Sequence, residues 1–352
     1  MRNMKHFKIE DRIIGEGNPV FIIAELSANH GGKIETAIES IHKIKSTGAD
    51  AVKVQTFKPE GTTIDCDNDY FRIKSGTQWD NRNLFELYSE AYMPWEWQPK
   101  LKKVAKDLGL IFFSSVTSQE STDFMESIGC PVYKIASFEI TDIPLIKYVA
   151  SKGKPVILSK GIATLSDLDD AVKACREVGN NQIAVLQCTS AYPSPIEESN
   201  LKTISNIEET FSVISGLSDH TLGIISPIVA VSLGAKIIEK HFISDKSIGG
   251  PDSSFSLNTE EFSEMVRTIR VAEKTIGKVS YELSEKTIKS RDFARSLFVI
   301  TDIKKGDEFS NTNVKAIRPG YGLHPKFLQE VIGKKASRDI ERGTPVQWNL
   351  LV

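Results

Sequence analysis

Two histidines stand at the ends of apolar runs, one helix-like segment apart. The run "VISGLSDH" ends in His220, and "AKIIEKHF" carries His241. If both runs are neighbouring parallel strands, the two imidazoles lie at one edge of a sheet, where they could share a divalent cation with a carboxylate such as Glu25. The alternative is that each imidazole is satisfied by a backbone carbonyl. Two histidines on adjacent strands favour the metal site.

Two lysines lie inside apolar runs, Lys53 in "AVKVQTF" and Lys134 in "VYKIAS". A buried lysine is costly unless it meets an anion. Together with serines at the strand ends, the two lysines predict a cradle for a phosphate or a carboxylate. A Schiff base on one of them is the alternative. A metal held by the histidines would make a Schiff base unnecessary, because the metal already polarises a carbonyl.

The elements that must position these residues alternate regularly along the chain. Near-continuously apolar runs typical of buried parallel strands alternate with helix-like segments, of which "IETAIESIHKIKSTG" and "LSDLDDAVKACREVG" both end in glycine. Eight such units in about 260 residues predict an α/β fold, a (β/α)8 or TIM barrel. The lack of a GxGxxG motif after the first run counts against a doubly wound dinucleotide fold.

In a barrel of this kind the carboxyl ends of the strands carry the chemistry. Every predicted strand end here is polar, and burying so many polar groups unpaired would cost stability. The sequence therefore predicts one site at the barrel mouth, formed by Glu25, Ser27, Asn29, His30, Lys53, Gln55, Ser114, Ser115, Lys134, Ser137, Glu139, Ser159, Lys160, Thr189, Ser190, Tyr192, Ser218, Asp219, His220, Glu239, Lys240 and His241.

The pattern changes near residue 280. We predict a barrel with an N-terminal cap over residues 1–280, a charged linker over 281–295 and a small β-rich module over 296–352. The polar stretch 60–92 reads as a long insertion between the second and third units, and such insertions are usually functional.

Composition excludes several classes of protein. With 44 basic and 46 acidic residues, the net charge of −2 gives no reason to expect nucleic acid or a membrane surface as partner. The four cysteines have neither CxxC nor metal-site spacing, which suits a reducing compartment. No signal-peptide pattern and no run of 18 apolar residues is found. We expect a cytoplasmic protein.

Several motifs, in one order, resemble the sialic acid synthase family. They are "IIAELSANHGG", "GADAVKVQTF", "YKIASFEITDIPLI", "GLSDHTLG", "EKHF" and "GGPDSSFSL", and "IRPGYGLHPK" is similar to the family's antifreeze-like (SAF) domain. The similarity covers nearly the whole chain. Within the family, "ASFEI", "CTSAYPSP" and "PGYGLHPK" look most like the pseudaminic acid synthase branch.

The resemblance implies an enzyme that condenses phosphoenolpyruvate with an acetamido sugar, using Mn²⁺ or, alternatively, Mg²⁺ or Co²⁺. In the pseudaminic branch the sugar is 2,4-diacetamido-2,4,6-trideoxy-L-altropyranose. Carried over by motif, the metal ligands are His220 and His241, and Glu25 works beside the reacting centre. The same carry-over assigns Lys53, Lys134, Ser137, Ser159 and Ser218 to phosphoenolpyruvate with Gln55 and Ser115 close by, and Glu139, Tyr192 and Asp252 to the sugar.

The resemblance also implies a domain-swapped homodimer in which Arg318 reaches the partner subunit's site. Two positions depart from the family pattern. Lys160 stands where relatives usually have threonine, and Ser190, at the sugar and phosphoenolpyruvate site, replaces the asparagine of neuraminate synthases. The first alters charge near the phosphate, and the second argues against neuraminate-type sugar recognition.

Two alternatives stay open at this point. One is a synthase for another nonulosonic acid (N-acetylneuraminic or legionaminic acid) or a spore-coat polysaccharide relative, because the choice between acetamido sugars depends on pocket shape. The other is a non-catalytic carbohydrate-binding barrel. The joint presence of His220, His241, Glu25, Lys53 and Lys134 speaks against that, since a binding protein needs no Lewis acid.

Overall fold

The apolar runs of the sequence become eight parallel strands that close into a barrel. The computed structural model describes residues 6–74, 76 and 79–352. An antiparallel hairpin, β1 (His6–Ile9) and β2 (Arg12–Gly15), precedes the barrel. The barrel strands are β3 (Phe21–Glu25), β4 (Ala51–Thr56), β5 (Ile111–Val116), β6 (Tyr133–Ile135), β7 (Val156–Ser159), β8 (Ile183–Cys188), β9 (Ile214–Asp219) and β10 (Ile237–His241).

Each barrel strand pairs with the next along the chain, and β10 pairs with β3 to close the ring. The predicted TIM barrel is therefore confirmed. The strands are buried on both faces, which explains why they read as continuous apolar runs instead of alternating ones.

Helices follow the strands of the barrel along the chain. They are α1 (Ile34–Thr47), α2 (Pro59–Thr62), α3 (Leu84–Ala91), α4 (Gln98–Asp107), α5 (Gln119–Ser127), α6 (Ile143–Ser151), α7 (Leu165–Glu177), α8 (Thr203–Phe211), α9 (Ile225–Ser232) and α10 (Thr259–Ile276). The sequence signals that set their ends are visible: Gly48 ends α1 in the left-handed region at φ 83°, and Thr164 starts α7 with a capping box. The insertion between β4 and β5 contains α2, α3 and α4.

The chain divides into two compact units, and the division falls after Gly277. In the second unit, α11 (Glu285–Ser290) forms part of the stretch that the sequence predicts as a linker. It is followed by the antiparallel pair β11 (Ser296–Val299) and β12 (Val314–Ile317) and by α12 (Leu328–Val331). The second unit contains fewer regular strands than the predicted β-rich module would have, because most of its β-pairing is through isolated bridges.

The second unit nevertheless has its own core. Leu297, Val299, Phe309, Val331 and Val346 are buried against one another with six further apolar residues. Within the described residues, no helix is both long enough and apolar enough to cross a membrane.

Candidate active site

Inward-facing polar residues meet at the carboxyl ends of the barrel strands. Strand register explains why: Glu25 of β3 is paired with Lys53 of β4 on one side and with His241 of β10 on the other. Paired residues of parallel neighbours point to the same face of a sheet, so these three side chains lie side by side. Ser218 of β9 and Glu239 of β10 are paired in the same way.

Two lysines and two glutamates form a buried cluster at the centre of this site. The ammonium group of Lys134 donates to both carboxylate oxygens of Glu239, at 2.8 and 3.0 Å. Lys53 Nζ lies 2.7 Å from Glu25 Oε2 and 3.7 Å from Glu239 Oε1. Ser218 Oγ donates to Glu239 Oε1 at 3.0 Å. The side chains are at most 5% exposed, so the cluster holds two basic and two acidic side chains away from water.

The pKa values of the two carboxyl groups in the cluster shift in opposite directions. Burial raises the pKa of Glu25 to about 7, since it outweighs the attraction of Lys53, and the charge of Glu239 adds to the rise. Burial acts on Glu239 as well, but Lys134 and Lys53 together outweigh it and hold the pKa of Glu239 at about 2. Glu239 is therefore a permanent anion near neutral pH, whereas Glu25 can take up and release a proton there.

The two histidines lie beside this cluster with their ring centroids 5.3 Å apart. His220 Nδ1 is 3.1 Å from the carbonyl oxygen of Thr189. A carbonyl only accepts, so the hydrogen bond puts the proton on Nδ1 and leaves a lone pair on Nε2. Burial lowers the pKa of His220 to about 4. Burial, and then the neighbouring His220, lower the pKa of His241 as well, so both imidazoles are neutral at pH 7.

Neutral imidazoles are the form that binds a transition-metal cation. His241 Nδ1 is buried without a hydrogen-bond partner among the described residues, and it lies 3.8 Å from Asp252 Oδ2. The alternative that a backbone carbonyl satisfies each imidazole therefore holds for Nδ1 of His220 but not for His241. These donors fit a divalent cation. Glu25, expected as the nearby carboxylate, is instead paired with Lys53, and the described part of the chain contains no group of three or more ligating side chains.

An aromatic wall adjoins the histidines. The Tyr192 ring lies 4.5 Å from the His220 ring, and the Phe255 ring lies 4.9 Å from that of His241. Trp79, from the insertion between β4 and β5, lies 5.3 Å from Tyr192. Burial raises the pKa of Tyr192, so its hydroxyl stays protonated. The wall gives the mouth an apolar side next to the two histidines.

Predicted serine and acid positions line the rest of the mouth. Ser190 Oγ donates to Ser137 Oγ at 2.8 Å, and Asp252 Oδ2 accepts from Ser27 Oγ at 2.5 Å. The Ser159 hydroxyl is buried with no partner in the part of the chain that is described. Glu139 is half-buried, and burial raises its pKa to about 7.

Register places Gln55 of β4 beside Ser115 of β5, and Ser115 beside Lys134 of β6. Close packing around the serines needs one glycine. A Cβ on Gly161 would lie 2.0 Å from Ser137 Cβ, and Gly161 also has a φ of +32°. Of the predicted site residues, Arg318 is the one that belongs to the second unit, where it is exposed.

The assignment of roles from the sequence misses three site residues. Trp79 lies in the stretch 60–92, which the sequence marks only as a whole. Glu239 is predicted at a strand end without a role, although it contacts both lysines. Its position two residues before His241 on a strand was the available signal, because such residues share a face. Phe255 lies in the "GGPDSSFSL" segment, outside the barrel strands, and no periodicity points to it.

Comparison with known proteins identifies the family of the chain. Residues 40–281 match the NeuB family, and residues 294–352 match the SAF domain. The chain is 49% identical over 324 residues to the pseudaminic acid synthase of Campylobacter jejuni, covering 92% of this chain and 94% of that protein. It is 49% identical over 329 residues to the pseudaminic acid synthase of Helicobacter pylori, covering 93% and 96% of the two chains.

A solved structure extends the likeness to the whole chain. The spore coat polysaccharide biosynthesis protein SpsE of Bacillus subtilis is 36% identical, with a TM-score of 0.67 over 99% of both chains. The chain described here belongs to the NeuB family and carries a C-terminal SAF domain.

Proposed function

We propose that the chain is a pseudaminic acid synthase. It condenses phosphoenolpyruvate with 2,4-diacetamido-2,4,6-trideoxy-L-altropyranose and water to give pseudaminic acid and phosphate. The observation that carries the proposal is the buried cluster of two lysines and two glutamates beside two neutral imidazoles, in a chain 49% identical to pseudaminic acid synthases. A carbohydrate-binding protein would gain nothing from keeping four charges away from water.

The lysines supply the binding site for the anionic substrate. Phosphoenolpyruvate carries a phosphate and a carboxylate, and Lys53 and Lys134 are cations that have lost their hydration. Serine hydroxyls and an amide complete the donor set, namely Ser115, Ser137, Ser159, Ser190, Ser218 and Gln55. The unpartnered hydroxyl of Ser159 supports this assignment, since a phosphate oxygen would accept its hydrogen bond.

A divalent cation, Mn²⁺ by preference, held by His220 and His241 would act as a Lewis acid on the aldehyde of the open-chain sugar. Carbon 3 of phosphoenolpyruvate forms a bond to the aldehyde carbon as the carbonyl π bond breaks and its electron pair moves to the aldehyde oxygen. That oxygen takes up a proton to become a hydroxyl, and positive charge develops at carbon 2. Water adds at carbon 2, and the C–O bond to phosphate then breaks. A carboxylate with a pKa near 7 takes the proton from that water, which is the role we assign to Glu25.

The sugar lies against the aromatic side of the mouth. Glu139, Tyr192 and Asp252 are the polar groups there, and they would hydrogen-bond the acetamido groups and hydroxyls. We also propose a homodimer in which Arg318 of the SAF domain reaches the site of the partner subunit. A cytoplasmic location is proposed because all four cysteines are free thiols.

The experiment that tests the function measures phosphate release with phosphoenolpyruvate, Mn²⁺ and a panel of acetamido sugars. The trideoxy-diacetamido-altrose is expected to be the best substrate, and mass spectrometry should detect pseudaminic acid. Reactions without sugar control for simple hydrolysis. Faster turnover of N-acetylmannosamine would identify a neuraminate synthase, and no phosphate release with any sugar would contradict an enzyme of this kind.

A further inference from the structure

An ion pair lies on the outer side of the barrel wall, directly behind the two histidines. Lys240 of β10 is paired in register with Asp219 of β9, and its Nζ lies 2.5 Å from Asp219 Oδ2. The side chains are 0% and 2% exposed. Successive residues of a strand alternate in direction, so Lys240 faces the helix layer while Glu239 and His241 face the barrel interior.

This pair fixes the backbone on both sides of His220. Lys240 Nζ also donates to the carbonyl oxygen of Thr221. Asp219 Oδ1 accepts from the Thr221 backbone N–H at 3.0 Å, and Thr221 Oγ1 donates to Asp219 Oδ2 at 3.2 Å. The residues before and after His220 are therefore bound to each other and to the residue that precedes His241.

The hydroxyl of Thr221 extends the network to the helix layer, because it lies 3.1 Å from Ser226 Oγ in the first turn of α9. The same turn is held from the other side, where the Ser194 backbone N–H donates to the His220 carbonyl at 2.9 Å. The carbonyl of His220 and both backbone groups of Thr221 thus have fixed partners.

Stability alone does not explain a charge pair in this layer. Desolvating two charges costs about as much as their attraction returns, and apolar replacements of such pairs are often neutral or stabilising. What a buried pair does provide is one defined geometry. We propose that Lys240 and Asp219 are positioning residues, which hold the imidazoles of His220 and His241 at the separation that binds the cation. The inference rests on the proposed metal-dependent function.

The test measures Mn²⁺ binding to the metal-free full-length protein, from the electron paramagnetic resonance signal of the free ion, without any turnover. The variant is the double change Lys240→Met and Asp219→Asn, which removes both charges and leaves side chains of similar shape, with Met one atom shorter than Lys. We expect a thermal midpoint close to that of the parent protein and a Kd for Mn²⁺ that rises about 10- to 100-fold. In assays, the KM for Mn²⁺ should rise while the KM for phosphoenolpyruvate stays the same.

The matched control is an ion pair elsewhere in the barrel. Arg270 Nη2 lies 3.0 Å from Asp50 Oδ2, just before β4 begins and so at the opposite end of the strand from the site. Asp50→Asn with Arg270→Met should leave the Kd for Mn²⁺ unchanged, whatever it does to the thermal midpoint.

Each outcome has a separate meaning. If the parent protein does not bind Mn²⁺, the proposed metal-dependent function fails. If the parent binds and the Lys240→Met, Asp219→Asn protein binds equally well, the positioning role is overturned. Should that double variant fail to fold, Thr221→Val decides: it removes the hydroxyl contacts without changing charge, and we expect a Kd about tenfold higher. An unchanged Kd in Thr221→Val would then overturn the proposal.

Discussion

The ammonium group of Lys53 lies 2.7 Å from a carboxylate oxygen of Glu25, yet the pKa of Glu25 rises to about 7. Burial costs the charged form of Glu25 more than Lys53 returns, and the negative charge of Glu239 raises the pKa of Glu25 further. Glu239, which faces both Lys134 and Lys53, stays ionised, whereas Glu25 can exchange a proton near neutral pH. One cluster therefore contains both a carboxyl group that titrates near neutral pH and a permanent counter-ion for the lysines.

Replacing Glu25 by glutamine should change how stability depends on pH. Between pH 4.5 and 7 the folded state holds the Glu25 proton more tightly than the unfolded chain, so parent stability falls as pH rises through this window. The Glu25→Gln protein does not lose stability in this way, because a glutamine side chain does not titrate. The free energy of unfolding of the variant, relative to the parent, should therefore increase by about 3 kcal/mol from pH 4.5 to pH 7.5.

Urea titrations at both pH values measure this difference. Turnover should fall by about 10²- to 10⁴-fold in Glu25→Gln with little change in the KM for phosphoenolpyruvate, because the proton acceptor is lost and the lysines remain. A stability difference that does not vary with pH would contradict the raised pKa of Glu25.

Glu239→Gln should destabilise the protein in a way that anions reverse. The change leaves Lys134 without its charged partner, and breaking a buried pair typically costs about 3 kcal/mol or more. Because the pKa of Glu239 is held at about 2, its contribution is present above pH 4.5 and is lost as pH falls toward 2, so the cost of the variant should shrink over that range. Inorganic phosphate should raise the thermal midpoint more in the variant than in the parent.

The control for this prediction is the surface pair of Lys58 and Glu120, whose side chains are 42% and 65% exposed. Glu120→Gln should change neither the thermal midpoint nor its response to phosphate. Equal phosphate responses in the parent and Glu239→Gln would mean that the lysines do not bind the anion.

The barrel and most of its mouth could be predicted from the sequence because they depend on local pattern. Apolar runs ending in polar residues define strands, and topology then brings their ends together, as with Lys53 and Lys134. Which side chains pair with each other at the mouth depends on the register of the strands, and the sequence does not determine that register. The sequence alone therefore does not reveal that Glu239 contacts both lysines, or that Lys240 faces outward and pairs with Asp219. The core of the second unit could not be predicted either, because its buried residues are scattered through short elements.

Metal removal should abolish turnover. His220 and His241 are neutral, so their lone pairs are available near pH 7, and EDTA followed by Mn²⁺ should remove and restore activity. His241→Ala should raise the Kd for Mn²⁺ at least tenfold while the circular dichroism spectrum stays that of a folded barrel. Full activity in metal-free protein would show that the histidines serve another purpose.

Phe138 should favour a sugar without a hydroxyl at carbon 6. Its side chain is 56% exposed, beside half-buried Glu139. An apolar ring there makes the pocket smaller and less polar. Phe138→Gly should therefore shift the ratio of kcat/KM values toward N-acetylmannosamine by about tenfold, with the KM for phosphoenolpyruvate as the unchanged control. An unchanged ratio would remove Phe138 from sugar selection.

The proposed homodimer makes a prediction about the segment before the SAF domain. Residues 278–295 are exposed throughout in the single chain, and among them Val279, Tyr281 and Phe293 are 91%, 96% and 72% exposed. Large apolar side chains left in water mark a surface that a partner covers. We expect a dimer in solution by light scattering, and Tyr281→Glu with Phe293→Glu should shift it toward monomer.

Arg318 can be tested within that dimer by mixing defective subunits. Gly320 and Gly322 hold its loop close to the chain, because a Cβ on either would lie 2.6 or 2.2 Å from a backbone oxygen, while Arg318 itself is exposed. Arg318→Ala and His241→Ala subunits should each be nearly inactive alone. When co-expressed, mixed dimers should recover partial activity, since one of their two sites combines an intact barrel with an intact arginine. Verified mixed dimers without recovery, or a fully active Arg318→Ala protein, would exclude a role for Arg318 across the dimer.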